Sequence, residues 1–212
     1  MTGEPKNALE RYEKLIEERR EQMFLAIGKA HSAFSRLESC LWELYSKAAQ
    51  HHNSGVSNVV FYSPTNIETR IGIVDSVMQF LFDQHNDGQR LYDAWAKLKG
   101  KIDKKKNVRN QIAHGELLPS TRGDNTQVRL TPQVADLVRI IPHVDTTQHP
   151  GMTLNDVIQF TTAVHSLSTH VVILGKLTTA ILEVRDGRFS RTDSRLDELW
   201  DDWKKQNLRA TS

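Results

Sequence analysis

The apolar repeat of residues 6–50 restricts the fold of this chain more than any other feature of its sequence. Apolar side chains recur there in steps of three and four, which is the spacing of one helix face. The stretch holds no proline and one glycine, Gly28, so nothing in it forces a helix to end. We therefore predict one long helix, or two nearly continuous ones, in this N-terminal region. A helix of that length packs against several partners or against another chain.

Four later segments also show helical spacing. The predicted helices cover residues 66–84, 88–116, 154–184 and 193–207. Thr65 with Glu68, and Thr153 with Asp156, have the spacing of a capping box before two of these helices. The 154–184 segment is apolar on more than one side, which is typical of a helix at the centre of a bundle. The last segment is predicted to be a helix appended at the C-terminal end.

Two stretches interrupt the helical pattern. Residues 51–64 are predicted to form a loop. Residues 117–150 are predicted to form a small insertion, in which Gln127–Thr131 and Leu137–Ile141 pair as a β-hairpin. The sequence thus predicts an all-α fold for a single domain of residues 1–212. That domain is a bundle of about five helices with a loop or β-hairpin insertion.

Composition predicts a globular protein of the cytoplasm. Hydrophobic residues make up 38% and charged residues 25% of the 212 residues, which excludes a disordered chain. No uninterrupted apolar run reaches the roughly 18 residues of a membrane span, and the N-terminus lacks the pattern of a signal peptide. The single cysteine, Cys40, cannot form an internal disulfide. It lies among leucines and is predicted to be a buried structural thiol, with a catalytic nucleophile as the less favoured alternative.

The charge of the chain is concentrated in one segment. Residues 97–109 contain seven lysine or arginine residues and one acid, Asp103, which gives a local charge of +6 in a chain of net charge +2. The remaining residues therefore carry a net charge of −4. Such a distribution indicates a placed anion site rather than diffuse binding of polyanions. The residues predicted to bind phosphate groups are Lys101, Lys104, Lys105 and Lys106.

The basic segment leads directly into a set of residues suited to phosphodiester chemistry. Asn110 and His114 are four residues apart and share one helix face. Arg109 lies about 140° round the helix from His114, with a side chain long enough to reach that face. Histidine can transfer protons near neutral pH, arginine can hold phosphate oxygens, and an amide can position either group. The segment has no carboxylate cluster, so we predict no metal and no cofactor.

A simpler interpretation of the same residues is a solvated helix end. Cations near the C-terminus of a helix are stabilised by its dipole, and His114 before Gly115 would serve that purpose. An arginine and a histidine five residues apart also occur together often by chance.

The stretch Arg109-Asn110-Gln111-Ile112-Ala113-His114-Gly115 resembles the R-polar-x3-H signature of HEPN domains (higher eukaryotes and prokaryotes nucleotide-binding). The resemblance covers about two thirds of the chain and implies an all-α bundle. It also implies a homodimer in which two motifs meet in one cleft. Many HEPN proteins are metal-independent endoribonucleases. For this activity, the resemblance implies that Arg109 stabilises the phosphorane, Asn110 positions the phosphate or the imidazole, and His114 transfers protons.

The expected function is therefore cleavage of RNA by attack of the neighbouring 2′-OH, in a toxin–antitoxin or phage-defence setting. RNA, a second copy of the chain and an antitoxin or other regulatory protein are the expected partners, with no membrane. HEPN toxins of one class often carry a tyrosine, modified by adenylylation, two residues after the histidine; this chain has Glu116 there, which puts that regulation in doubt. The alternative is a non-catalytic HEPN-type module that binds nucleotide, RNA or a partner protein.

Overall fold

The structure, a computed structural model, describes residues 4–50, 54–84, 88–122, 125–132, 151–185 and 194–209. These residues form helices and one two-stranded sheet, so the predicted helical class is confirmed. The helices are α1 (Glu4–Ala48), α2 (Ser54–Tyr62), α3 (Ile67–Gln84), α4 (Gly88–His114), α5 (Leu154–Arg185) and α6 (Ser194–Arg209). The strands are β1 (Gly115–Arg122) and β2 (Asn125–Pro132).

The chain divides into two compact units. The first unit consists of Met1–Ala33 and Asn107–Thr162, and the second unit consists of Phe34–Lys106 and Ala163–Ser212. Helices α1, α4 and α5 each contribute residues to both. The predicted N-terminal helix is one continuous helix.

The second unit buries the large apolar side chains that the helical spacing predicts. Those exposed by less than 2% include Phe34, Leu37, Leu41, Leu44, Ile71, Met78, Leu91, Trp95, Ile102 and Leu174. Cys40 is buried as predicted, and this burial raises the pKa of its thiol. A thiol with a raised pKa is a poor nucleophile at neutral pH, which favours the structural role.

Helix α2 corrects the prediction of a loop over residues 51–64. Gly55 and several β-branched valines are poor helix formers, which hid this helix in the sequence. Contacts within the second unit stabilise it nevertheless: Phe61 is fully buried and stacks on Tyr45 with ring centroids 5.9 Å apart. The buried Ser57 hydroxyl accepts a hydrogen bond of 3.2 Å from Ser46.

The two predicted capping boxes have different outcomes. Helix α3 is capped one residue later than predicted, because the Asn66 side chain accepts the backbone N–H of Thr69 at 2.7 Å. Helix α5 begins with the predicted reciprocal pair: Thr153 donates its backbone N–H to Asp156 at 2.7 Å, and Asp156 donates its backbone N–H to the Thr153 hydroxyl at 3.2 Å. The Thr153 hydroxyl also donates to this carboxylate at 2.7 Å, and the two bonds from Thr153 to the carboxylate lower the pKa of Asp156.

The hairpin of the first unit also differs from its prediction. The predicted strand Gln127–Thr131 lies within β2, but its antiparallel partner is β1, in a register that pairs Gly115 with Pro132. The expected partner Leu137–Ile141 lies outside the described residues. The sequence does not predict β1, because Pro119 is unfavourable in a strand and Gly115 is typical of the end of a helix that is followed by a loop.

Helix α5 is long and apolar enough to cross a membrane by length and composition alone, with a mean hydropathy of 1.4 over an 18-residue window. Within that window, 61% is buried inside the protein. The core helix of a water-soluble protein meets the same two requirements.

Asp75 holds a buried indole in the second unit, and its removal should destabilise the protein. Its carboxylate accepts the Nε1–H of the fully buried Trp95 at 2.7 Å and the ammonium of Lys99 at 2.6 Å. Asp75→Ala leaves the indole N–H without its acceptor, so we expect a loss of about 1–3 kcal/mol in the free energy of unfolding, measured by urea denaturation.

Asp75→Asn is the matched control, because it keeps an oxygen acceptor for Trp95 and, like alanine, loses the carboxylate oxygen that accepts from Lys99. The loss in the free energy of unfolding should be clearly smaller for Asp75→Asn than for Asp75→Ala. Equal losses in the two variants would show that the indole hydrogen bond does not contribute to stability.

Candidate functional site at the end of helix α4

Gly115 ends α4 and starts β1, so the chain changes direction immediately after His114. A Cβ atom at this position would lie 2.7 Å from the Leu130 side chain and 2.9 Å from the carbonyl oxygen of Gln111. Only glycine allows the hairpin to approach the helix end this closely. The last residues of the predicted motif are therefore held on a helix whose end is defined by packing within the first unit.

The structure joins Arg109 and Asn110 directly. Arg109 is half-buried and donates a hydrogen bond of 3.2 Å from its guanidinium to the Asn110 side-chain oxygen. The arginine thus contacts Asn110, one of the two residues that share a helix face. Asn110 and His114 are both exposed. Among the described residues, no hydrogen bond or ion pair engages the His114 ring.

His31, on α1, is a residue of this site that the sequence alone does not indicate. It is half-buried, and its pKa is lowered first by burial and second by the positive charge of Arg109. Both effects disfavour the imidazolium form. His31 is therefore a neutral imidazole at pH 7, able to accept a proton beside a permanent cation.

A cavity of about 470 Å³ opens between α1 and the end of α4, and both walls belong to the first unit. We call it the motif cavity. Its α1 wall is formed by Glu17, Arg20, Phe24, Ile27 and His31. Its other wall is formed by residues 112, 113 and 115–117. The motif cavity therefore contacts the chain on both sides of His114.

The four lysines predicted to bind phosphate lie in the second unit and differ in exposure. Lys101 and Lys104 are exposed, whereas Lys105 and Lys106 are half-buried. Lys106 forms ion pairs with Glu68 at 3.4 Å and with Asp103 at 3.8 Å. Part of the charge of this basic segment is thus balanced by neighbouring carboxylates, and Lys101 and Lys104 are the most accessible to an anion.

A metal site is not evident in the part of the chain that the structure describes: no three or more His, Cys, Asp and Glu side chains there cluster as ligands. No family model, curated protein or solved structure matches this chain. What the site can do therefore follows from its own residues.

Replacing Gly115 should destabilise the first unit through overpacking. Gly115→Ala places a methyl group against Leu130 and Gln111, and we expect a loss of about 1–3 kcal/mol in the free energy of unfolding. Gly100→Ala is the control in the same helix, since its added Cβ meets nothing within 4 Å. There, alanine should stabilise by about 0.5–1 kcal/mol. Denaturant unfolding of both variants tests the opposite signs.

Removing the charge of Arg109 should raise the pKa of His31. Arg109→Gln eliminates the charge that disfavours the imidazolium, whereas Arg109→Lys retains it. Titration of the His31 ring by NMR measures the change, with Arg36→Gln in the second unit as a control. If Arg109→Gln leaves the titration of His31 where it is in the wild type, the electrostatic contact does not exist.

The same pKa shift has a consequence for stability. The pKa of His31 is lower in the folded than in the unfolded chain. At pH values between these two pKa values, the unfolded chain therefore binds more protons than the folded chain. This contribution to stability is fully present above about pH 6.5 and is lost as the pH falls through the folded pKa.

Proposed function

We propose that this protein is a metal-independent, HEPN-type endoribonuclease with Arg109, Asn110 and His114 as its catalytic residues. The observation that supports it is the side-chain contact between Arg109 and Asn110, which lie five and four residues before the exposed His114. An arginine held in this way is oriented before substrate arrives, which lowers the cost of positioning its guanidinium on a phosphate.

The proposed reaction is a transesterification followed by release of the product. A base removes the proton of a ribose 2′-OH, and the 2′ oxygen attacks the adjacent phosphorus. The bond from phosphorus to the 5′ oxygen breaks, and an acid donates a proton to that oxygen. The products are a 2′,3′-cyclic phosphate and a 5′-hydroxyl end. Arg109 stabilises the charge of the phosphorane, and Asn110 positions its oxygens.

Two histidines are available for the two proton transfers. His114 is the residue that the HEPN resemblance assigns to proton transfer. His31 is neutral at pH 7 beside Arg109 and is suited to act as the base. Within this proposal a second copy of the chain brings its own motif to the same RNA strand. Lys101 and Lys104 contact neighbouring phosphates, and a cytoplasmic antitoxin or other regulator controls the activity.

A non-catalytic module that binds nucleotide, RNA or a partner protein is the second candidate. One observation favours it: no described residue orients the His114 ring by a hydrogen bond or ion pair. A catalytic histidine is commonly held by such a partner.

Cleavage of labelled RNA in the presence of EDTA tests the proposal. We expect the wild type to produce 2′,3′-cyclic phosphate ends, and Arg109→Ala and His114→Ala to lose about 100-fold or more in rate. His165→Ala is the matched control, because His165 is also an exposed helical histidine but lies in the second unit. It should cut as fast as the wild type.

The proposal fails if the wild type leaves RNA intact, or if His114→Ala cuts as fast as His165→Ala. If the wild type binds RNA but leaves it intact, the second candidate, a non-catalytic binding module, is established. The molar mass of the protein in solution, measured by light scattering, tests the homodimer separately.

A further inference from the structure

We infer that the motif cavity binds one RNA base beside the scissile phosphate and that Glu116 selects guanine. The choice of RNA as ligand rests on the proposed function; the choice of base rests on the residues of the cavity. Neither the motif nor the lysine run explains why a cavity should lie against the residues that flank His114 in the chain.

The size and the aromatic wall of the cavity suit a base. Its volume of about 470 Å³ falls within the range of roughly 300–1,000 Å³ found for small-molecule sites. Phe24 lies on its wall and remains 60% exposed, so its ring is accessible. Exposed aromatic rings in single-strand-binding proteins stack on bases, and Ile27 and Leu117 add apolar surface for the base edges.

The position of the cavity suits the reaction. Ala113 and Gly115 line it, so the residues on both sides of His114 contact its contents. His31 lines it as well, within reach of the charge of Arg109. A base in the cavity would therefore lie beside the residues that flank His114 in the chain, with its ribose and phosphate at the end of α4.

Of the two carboxylates in the cavity, Glu116 is the one available to a base. Glu17 is in an ion pair of 3.7 Å with Arg20. Among the described residues, no ion pair engages Glu116, and its backbone carbonyl accepts a hydrogen bond of 3.2 Å from the Thr131 hydroxyl. That bond holds the start of β1 and leaves the carboxylate exposed.

A carboxylate accepts two parallel hydrogen bonds only from a partner with two adjacent donors. Guanine presents such a pair, N1–H and N2–H, on its Watson–Crick edge. Adenine and cytosine each place a ring acceptor beside their amino group, and uracil has one N–H between two carbonyl oxygens. Glu116 therefore favours guanine over the other three bases.

Equilibrium binding of the four ribonucleoside 3′-monophosphates to the full chain, measured by calorimetry, tests the inference. We expect guanosine 3′-monophosphate to bind the wild type about ten-fold or more tightly than the other three. Glu116→Gln offers one acceptor and one donor in place of two acceptors, so it should abolish this preference. Phe24→Ala should weaken all four nucleotides by about five-fold or more.

Two controls in the second unit separate an effect on this site from a general effect of substitution. Phe80→Ala removes a phenylalanine that is 62% exposed in the second unit, and it should leave binding unchanged. His165→Ala removes an exposed helical histidine of the second unit, and it should also bind guanosine 3′-monophosphate as the wild type does.

The inference is overturned if the wild type binds the four nucleotides equally or binds none of them, a result that requires no variant to fold. It is also overturned if Glu116→Gln keeps the guanine preference. Guanine-selective binding without RNA cleavage would refute the nuclease proposal alone. Cleavage without base preference would refute the guanine site alone.

Discussion

The packing of Leu130 is the constraint on which the first unit depends. Its backbone exchanges two hydrogen bonds with Met152, of 2.9 and 2.8 Å, and the same residue stands opposite Leu117 in the hairpin. Its side chain is only 3% exposed and lies against Gly115. One residue thus ties together the end of α4, both strands and the approach to α5.

This arrangement needs residues without a Cβ on two sides of Leu130. Gly151 has a φ of +71°, a backbone conformation that side-chain-bearing residues rarely adopt, and a Cβ there would lie 2.8 Å from the Leu130 carbonyl oxygen. Gly115 allows the matching approach from α4. Residues far apart in sequence therefore determine where α4 ends, and with it the position of His114 relative to the hairpin.

Much of the helical architecture could be predicted from the sequence, because a long apolar repeat of period 3.6 has few alternatives to a helix. Helices α1, α3, α4, α5 and α6 were each found in this way, and the cap of α5 was found from its spacing. Helix α2 could not be predicted from the sequence, because the contacts of Phe61 and Ser57 stabilise it against its low helix propensity. Strand β1 could not be predicted either, because it contains a proline and a glycine, which are typical of loops.

The candidate site likewise has a part that the sequence predicts and a part that only the fold brings together. The Arg109–Asn110–His114 set lies within six residues, so its geometry follows from one helix. His31 is 78 positions before Arg109, and only the fold brings its ring under the influence of that charge. Its one local signal was weak: Arg20, Phe24, Ile27 and His31 recur at the spacing of one helix face.

The electrostatic contact between His31 and Arg109 acts in both directions, as any thermodynamic linkage must. The guanidinium disfavours a proton on His31, so an anion that neutralises the guanidinium must raise the proton affinity of the imidazole. A proton on His31 must in turn strengthen the hold of this part of the first unit on that anion. For any anion that binds Arg109, binding and proton uptake by His31 would be one coupled equilibrium, and acidity alone would change how tightly that anion is held.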